Sequence, residues 1–161
     1  MLYDNIMVPY DGSESAQAAL AEAVRYARED PGAALHIVQI VDTEQLVIEK
    51  LEKEGRNTPD ELSSVLLHAH YDEALAEADA ALRRQIGGLL KGLMNEITVD
   101  LLDETVPGEQ IVAFADEHAC DLIVMGSRGL GVLRGMLGSV SYGVLRSAEI
   151  PVLVAKKDEE G

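Results

Sequence analysis

A chain of 161 residues, 47% hydrophobic and 26% charged, has the size and composition of one globular domain with a buried core, not of a disordered segment. Thirteen basic residues against 29 acidic ones leave a net charge of −16, which excludes nucleic acid and anionic membranes as expected partners. No apolar run reaches the roughly 18 residues of a membrane span, and MLYDNIMVPYDGS carries no basic-then-apolar leader, so a cytoplasmic location is expected.

The elements follow from periodicity. Ile6–Val8 is a short strand stopped by Pro9, which cannot donate to a sheet ladder. Tyr10-Asp11-Gly12-Ser13 is turn chemistry, with Ser13 placed to cap the helix after it. Ala16, Ala19, Leu20, Ala23, Val24 and Ala27 recur at helical spacing, which predicts a helix over 14–27. Pro31-Gly32 breaks the chain, and Leu35–Val41 reads as a buried strand. Asp42–Asn57 is polar without a persuasive period and is expected to be a long excursion.

Thr58-Pro59-Asp60-Glu61 is a helix start: N-cap, first-turn proline, and glutamate three residues on. The pattern Leu62, Val65, Leu66, Ala69, Leu75, Ala78, Leu82 carries that helix past Gly87-Gly88 toward Leu93. Ile97–Leu102 reads as a strand, Pro107 opens a helix with Ile111, Val112, Phe114 and Ala115, and Leu122–Met125 is a strand. Val140–Arg146 is a helix and Ile150–Ala155 a last strand, before an acidic tail over 158–161 that frays. The order β-α-β-α-β-α-β-α-β, with uniformly apolar strands, predicts a parallel sheet covered on both faces: a doubly wound α/β domain over 1–157. Ligands of such sheets bind at the strands' carboxyl ends, where the turns Pro9–Ser13 and Gly126–Ser139 both fall.

The second of those turns is chemically distinctive. From Leu122 to Ala148 there are 27 residues without a carboxylate, holding six glycines and the arginines Arg128, Arg134 and Arg146. Glycines let backbone amides approach an anion closely, and a helix start after a strand is where a phosphate is received. Clearing carboxylates removes the repulsion it would otherwise meet. A phosphate-bearing small molecule is the expected ligand.

Together, VPYDGS and MGSRGLGVLRGMLGSVSYGVLRSAEIPVLV resemble the universal stress protein family over nearly the whole chain. In nucleotide-binding members the glycine motif is Gly, two residues, Gly, nine residues, then Gly-Ser or Gly-Thr. Gly126, Gly129 and Gly138-Ser139 match it, with eight residues, Leu130–Leu137, in the second gap. The resemblance implies a five-stranded parallel α/β sandwich, Rossmann-like and akin to the adenine nucleotide alpha-hydrolases. Its implied ligand is ATP, or ADP or AMP, with magnesium as a candidate companion.

Residue by residue, the resemblance puts Asp11 at the ribose with Pro9 in the adjoining wall, and Ile40 at the adenine through its backbone. It has Met125, Gly126 and Gly129 wrapping ribose and phosphates, and Gly138, Ser139 and Val140 holding phosphates. Arg128 stands where the family varies, and its charge suits a phosphate. A stress-response binding or switch module is the leading functional reading. The alternatives are a slow ATPase and an apo member working only through protein contacts. A homodimer joined along Ile150–Ala155 is expected, because an apolar edge strand invites pairing.

Other chemistry fails on its residues. Gly138-Ser139 lacks the lysine of a P-loop, and Gly129-Leu130-Gly131 is at the wrong turn for a dinucleotide fingerprint. Ser139-Val140-Ser141-Tyr142-Gly143 has serine where a nucleophile elbow needs glycine. His68 and His70 point to different sides of a helix, too few for zinc, and His36 and His118 stand alone in sequence. Asp103 and Glu104 near a strand end leave metal or acid–base work open. Cys120 reads as a packed side chain rather than a reactive thiol. The spread of acids over helices and loops leads to a further expectation, adaptation to concentrated salt.

Overall fold

The computed structural model describes residues 2–55, 64–103, 107–127 and 138–156. Five parallel strands form one sheet in the order β3-β2-β1-β4-β5: β1 Asn5–Pro9, β2 Ala34–Val41, β3 Ile97–Asp103, β4 Leu122–Gly126 and β5 Val152–Ala155. Helices α1 Glu14–Glu29 and α3 Ser64–Leu90 cover one face, and α4 Pro107–Glu117 and α5 Ser139–Ser147 the other. The expected doubly wound sheet is present. Its last strand, β5, lies at the sheet edge.

Strand alternation divides the core in two. Ile6, Val8, Leu35, Ile37, Leu122 and Val124 point to α1 and α3, where they meet Leu20, Leu82 and Ile86. Met7, Val38, Ile123 and Met125 point the other way, onto Ile111, Phe114, Ala115 and Val144. The alanine face of α1, with Ala16, Ala19, Ala23 and Ala27 all buried, lets that helix lie close to the sheet. Ser13 caps it, its side chain accepting the Ala16 N–H at 3.2 Å. Cys120 joins the second core, and burial, aided by Asp121, pushes its thiol up to about 11. It is a protonated packing group at neutral pH.

One element departs from the sequence reading. Within the expected excursion after β2, Thr43–Lys53 forms α2, so two helices join β2 to β3. Asp42 caps α2 by accepting the Gln45 N–H at 3.0 Å. Val47 and Leu51, four residues apart on one face, bury against Ala74 and Tyr71 of α3. Lys50 lies between the two helices with Glu77 at 2.6 Å, Glu54 at 2.9 Å and Glu73 at 3.3 Å. These carboxylates, Glu77 first and then Glu54, raise its pKa well above the ordinary lysine value against the opposing effect of burial. The apolar seam of α2 is only two residues long and faces a helix rather than the sheet, so its period is faint. The expected helix start at Thr58–Glu61 lies outside the described residues. At its other end α3 stops at Leu90 rather than Leu93, and Gly92, at φ +78°, turns the chain.

Asn95 closes the amino-terminal end of the sheet. Its side-chain NH2 faces three main-chain carbonyls, Ala27 O at 2.9 Å and Asp30 O and Ala33 O at 2.8 Å. It thereby ties the end of α1 to the entry of β2. Asn95→Ala strips all three of this donor and is expected to cost about 2 kcal/mol. Urea unfolding midpoints measure the loss, and a change under about 0.5 kcal/mol would contradict it.

The structure brings together two histidines that stand alone in sequence. The His36 and His118 ring centroids are 5.9 Å apart, and His118 stacks on Phe114 at 3.8 Å. His36 Nδ1 is 2.8 Å from Thr98 Oγ1 and its Nε2 is 3.2 Å from Asn5 Oδ1. A neutral ring satisfies both contacts, with Nε2–H donating to Asn5 and Nδ1 accepting the Thr98 hydroxyl proton. Burial, and then His118, lower the His36 pKa against the opposing pull of Glu96 and Asp100. Above the unfolded value of 6.5 both states are neutral. As pH falls from there toward the depressed folded value, the unfolded chain takes up a proton that the native ring refuses. His36 therefore lowers stability in that window, by at most about 1.4 kcal/mol per pH unit. Urea midpoints at about pH 7 and about pH 5 should fall more steeply for the parent chain than for His36→Gln; equal slopes would refute this.

Candidate functional site

The strand order reverses direction between β1 and β4, and a crevice at the carboxyl ends of the strands opens beside that switch point. It is a cavity of about 340 Å³. Its floor is apolar: Pro9 from β1, Val38 and Ile40 from β2, Met125 from β4 and Ile111 from α4. Polar groups stand on its rim, Asp11 and Ser13 on one side, Ser139 and Ser141 on the other.

The first rim is the turn leaving β1. Tyr10 N–H donates to Val38 O at 2.8 Å, extending the β1–β2 ladder one step beyond Pro9. Gly12 then takes φ +82°, and Asp11 Oδ1 accepts the Ser13 N–H at 2.9 Å. Asp11 thus fixes the turn into α1 as well as standing at the cavity. Burial, with the Asp11 charge adding, raises the Tyr10 pKa, which keeps the phenol protonated.

The second rim is built by β4 and α5. Gly126 sits against the first turn of α1: a Cβ there would come within 2.7 Å of the Ser15 carbonyl carbon and 2.8 Å of Ala16 N. Ser141 Oγ donates to Gly126 O at 2.7 Å, and Gly138 N–H donates to Ser127 O at 2.9 Å. These two bonds hold the start of α5 over the end of β4. Gly138 occupies the N-cap position without a side chain to cap the helix, and the first turn of α5 has no acidic residue. The positive end of the helix dipole therefore meets the cavity without a carboxylate from its own first turn.

Of the residues singled out from sequence, Pro9, Asp11, Ile40, Met125, Gly126, Gly138, Ser139 and Val140 line this one cavity. Arg128 and Gly129 lie outside the described residues, as do Arg134, Gly131, Glu104 and the tail. Tyr10, Ser13, Ala16, Val38, Pro107, Ile111 and Ser141 also line it and were not anticipated. Val38 had a signal, since it shares a strand face with Ile40. Pro107 and Ile111 had none, because only the packing of α4 on the sheet brings them there. Asp103 Oδ1 accepts the Thr43 N–H at 3.3 Å and so serves the start of α2. His70 is 3.9 Å from Glu73, and His68 packs its ring on Tyr71. Among the described residues no group of three His, Cys, Asp or Glu is placed to hold a metal ion, and no helix is long and apolar enough to cross a membrane.

A sheet of this order with a cleft at its switch point defines a Rossmann-like α/β domain. Residues 2–156 match the universal stress protein family, and the chain belongs to that family. It is 35% identical to universal stress protein MJ0531 of Methanocaldococcus jannaschii across 99% of this chain and 85% of that protein. Its fold matches universal stress protein UspA of Lactobacillus plantarum with a TM-score of 0.70 at 28% identity, covering 95% of this chain and 97% of that one. It also matches a universal stress protein of Archaeoglobus fulgidus solved in complex with dAMP. That match has a TM-score of 0.53 at 25% identity and covers 97% of this chain and all of the other.

Proposed function

We propose that the chain is an adenine nucleotide-binding module of the stress response, with ATP, ADP or AMP in the cleft at the β1/β4 switch point. The observation that carries the reading is the start of α5. Its amides lack a side-chain cap and a neighbouring acid, and they border an apolar cavity of nucleotide-compatible volume. The dAMP complex of the Archaeoglobus relative supports adenylate as the ligand class. In this reading adenine lies on Val38, Ile40 and Met125, the ribose meets Asp11, and phosphates meet the amides of Ser139 and Val140.

Of the described lining residues only Asp11 offers a carboxylate. One carboxylate is too few donors for a protein-built magnesium site, so a magnesium ion would arrive with the phosphates. The function we assign is binding-linked: occupancy fixes the relation of β4 to α5, and a partner reads the changed surface. Calorimetry of the purified chain with ATP, ADP and AMP tests the assignment, with saturable micromolar binding of at least one expected. Absence of binding by all three would overturn it.

The same reading includes a homodimer. The edge strand β5 presents Val152, Leu153 and Val154 half-buried, and pairing with a second copy would complete their cover. Light scattering at micromolar concentration should give twice the monomer mass; a monomer would refute the pairing. Adaptation to salt is the corresponding proposal for the net charge of −16. It calls for unfolding midpoints that rise with KCl, and midpoints independent of KCl would discard it.

A further inference from the structure

A second, larger hollow of about 680 Å³ lies on the opposite face of the sheet, between α1, α3 and the end of β2. The alternation of β2 separates the two: Val38 and Ile40 face the first cavity, and Gln39 between them faces the second. Tyr10 and Asp11 line both, so one turn is their common wall. The new lining is amide-rich, with Gln17 from α1, Gln39 from β2 and Gln85 from α3. Gln17 Nε2 donates to Gly12 O at 3.2 Å. Among the described residues, the side-chain amides of Gln39 and Gln85 have no hydrogen-bond partner.

The helix that forms the far wall departs from good helix chemistry at this point. Gly87 and Gly88 lie inside α3, where each glycine costs about 1 kcal/mol relative to alanine. Close packing does not require them, because a Cβ at either position meets no described atom within 4 Å. Gly88 lines the hollow, and a side chain there would occupy space that is now open. Propensity is given up at Gly88 and room is kept.

We propose that this hollow binds a neutral polyhydroxylated ligand of the sugar class. Each glutamine amide offers a donor and an acceptor side by side, which matches neighbouring hydroxyls. No Lys or Arg is among the lining residues, and Asp11 stands at the wall, so an anion is disfavoured there. A lone carboxylate is too little for a divalent cation, and a purely apolar ligand would leave the Gln39 and Gln85 amides desolvated and unpaired. The proposal does not rest on nucleotide occupancy of the first cavity.

The test is a titration of the nitrogen-15-labelled full chain, without nucleotide, with glucose and with trehalose, followed by NMR. Sodium phosphate and glycine betaine serve as anionic and hydroxyl-free controls. Saturable millimolar shifts are expected at the amides of Gly12, Gln39 and Gly88 and at the Gln85 side chain, with one or both sugars only. Gly88→Leu, which fills the hollow while improving helix propensity, should weaken that binding at least about ten-fold, as should Gln85→Ala. Neither substitution touches the first cavity, so adenylate binding serves as a separate control. Linear, unsaturable shifts with both sugars, equal saturation by a control, or unchanged affinity in both variants would overturn the proposal.

Discussion

Ser139→Glu should leave the protein folded and reduce its affinity for ATP by about ten-fold to a hundred-fold, or roughly 1.5–3 kcal/mol. The two halves of this result come from the same physics. Ser139 begins α5, whose first turn has neither a capping side chain nor an acid. A carboxylate there meets the positive end of the helix dipole and stabilises the helix, by about 0.3–1 kcal/mol. It also takes the place proposed for the phosphates and repels them. Adenosine, which has no phosphate, should lose much less than ATP. Calorimetry on parent and variant separates the cases. If ATP affinity is unchanged, phosphates do not sit at α5, whatever else the cleft binds.

Gly126→Ala is expected to cost about 3 kcal/mol, at the upper end of ordinary overpacking. The obstacle is what makes it large. The new methyl would lie 2.7 Å from the Ser15 carbonyl carbon and 2.8 Å from Ala16 N, which are backbone atoms of a capped helix and cannot swing aside as a side-chain tip would. The first turn of α1 must shift away from the sheet, carrying with it Ser13 and the Asp11 turn on the cavity rim. For a chain of this length the loss corresponds to a melting temperature lower by roughly 6–12 °C. Gly87→Ala provides the contrast: no described atom lies within 4 Å of its Cβ position, and it should gain about 0.5–1 kcal/mol. Equal melting temperatures for the two variants would show that Gly126 is not held by contact with α1.

The same glycine shows how far a sequence can be read. The glycine cluster points to the rim proposed here for phosphates, and Gly126 does lie on the cavity, but its tightest constraint is a helix more than a hundred residues earlier in the chain. No local pattern reveals such a contact. The strands were legible as short, uniformly apolar runs because the sheet is covered on both faces, and the amphipathic helices α1, α4 and α5 because each buries a continuous face against the sheet, which leaves a period of 3.6. The α2 helix was not, because Val47 and Leu51 supply a single contact line and Lys50, polar in sequence, is buried while ion-paired with three glutamates.

Within the cavity, the two turns were legible from Pro9, Asp11 and Gly138-Ser139, where backbone geometry restricts residue choice. Ile111 and Ser141 were not: Ile111 is an ordinary helix position, and Ser141 matters only through its bond to Gly126 O. Likewise His36 and His118 look solitary in sequence because the packing of α4 on β2 is what pairs them.

A crystal of the chain grown with excess ATP tests the central claim most directly. The expected result is an adenine ring on Val38, Ile40 and Met125 with phosphate oxygens within hydrogen-bonding distance of the Ser139 and Val140 amides. A cleft found empty under saturating ATP, or nucleotide bound elsewhere on the molecule, would contradict it.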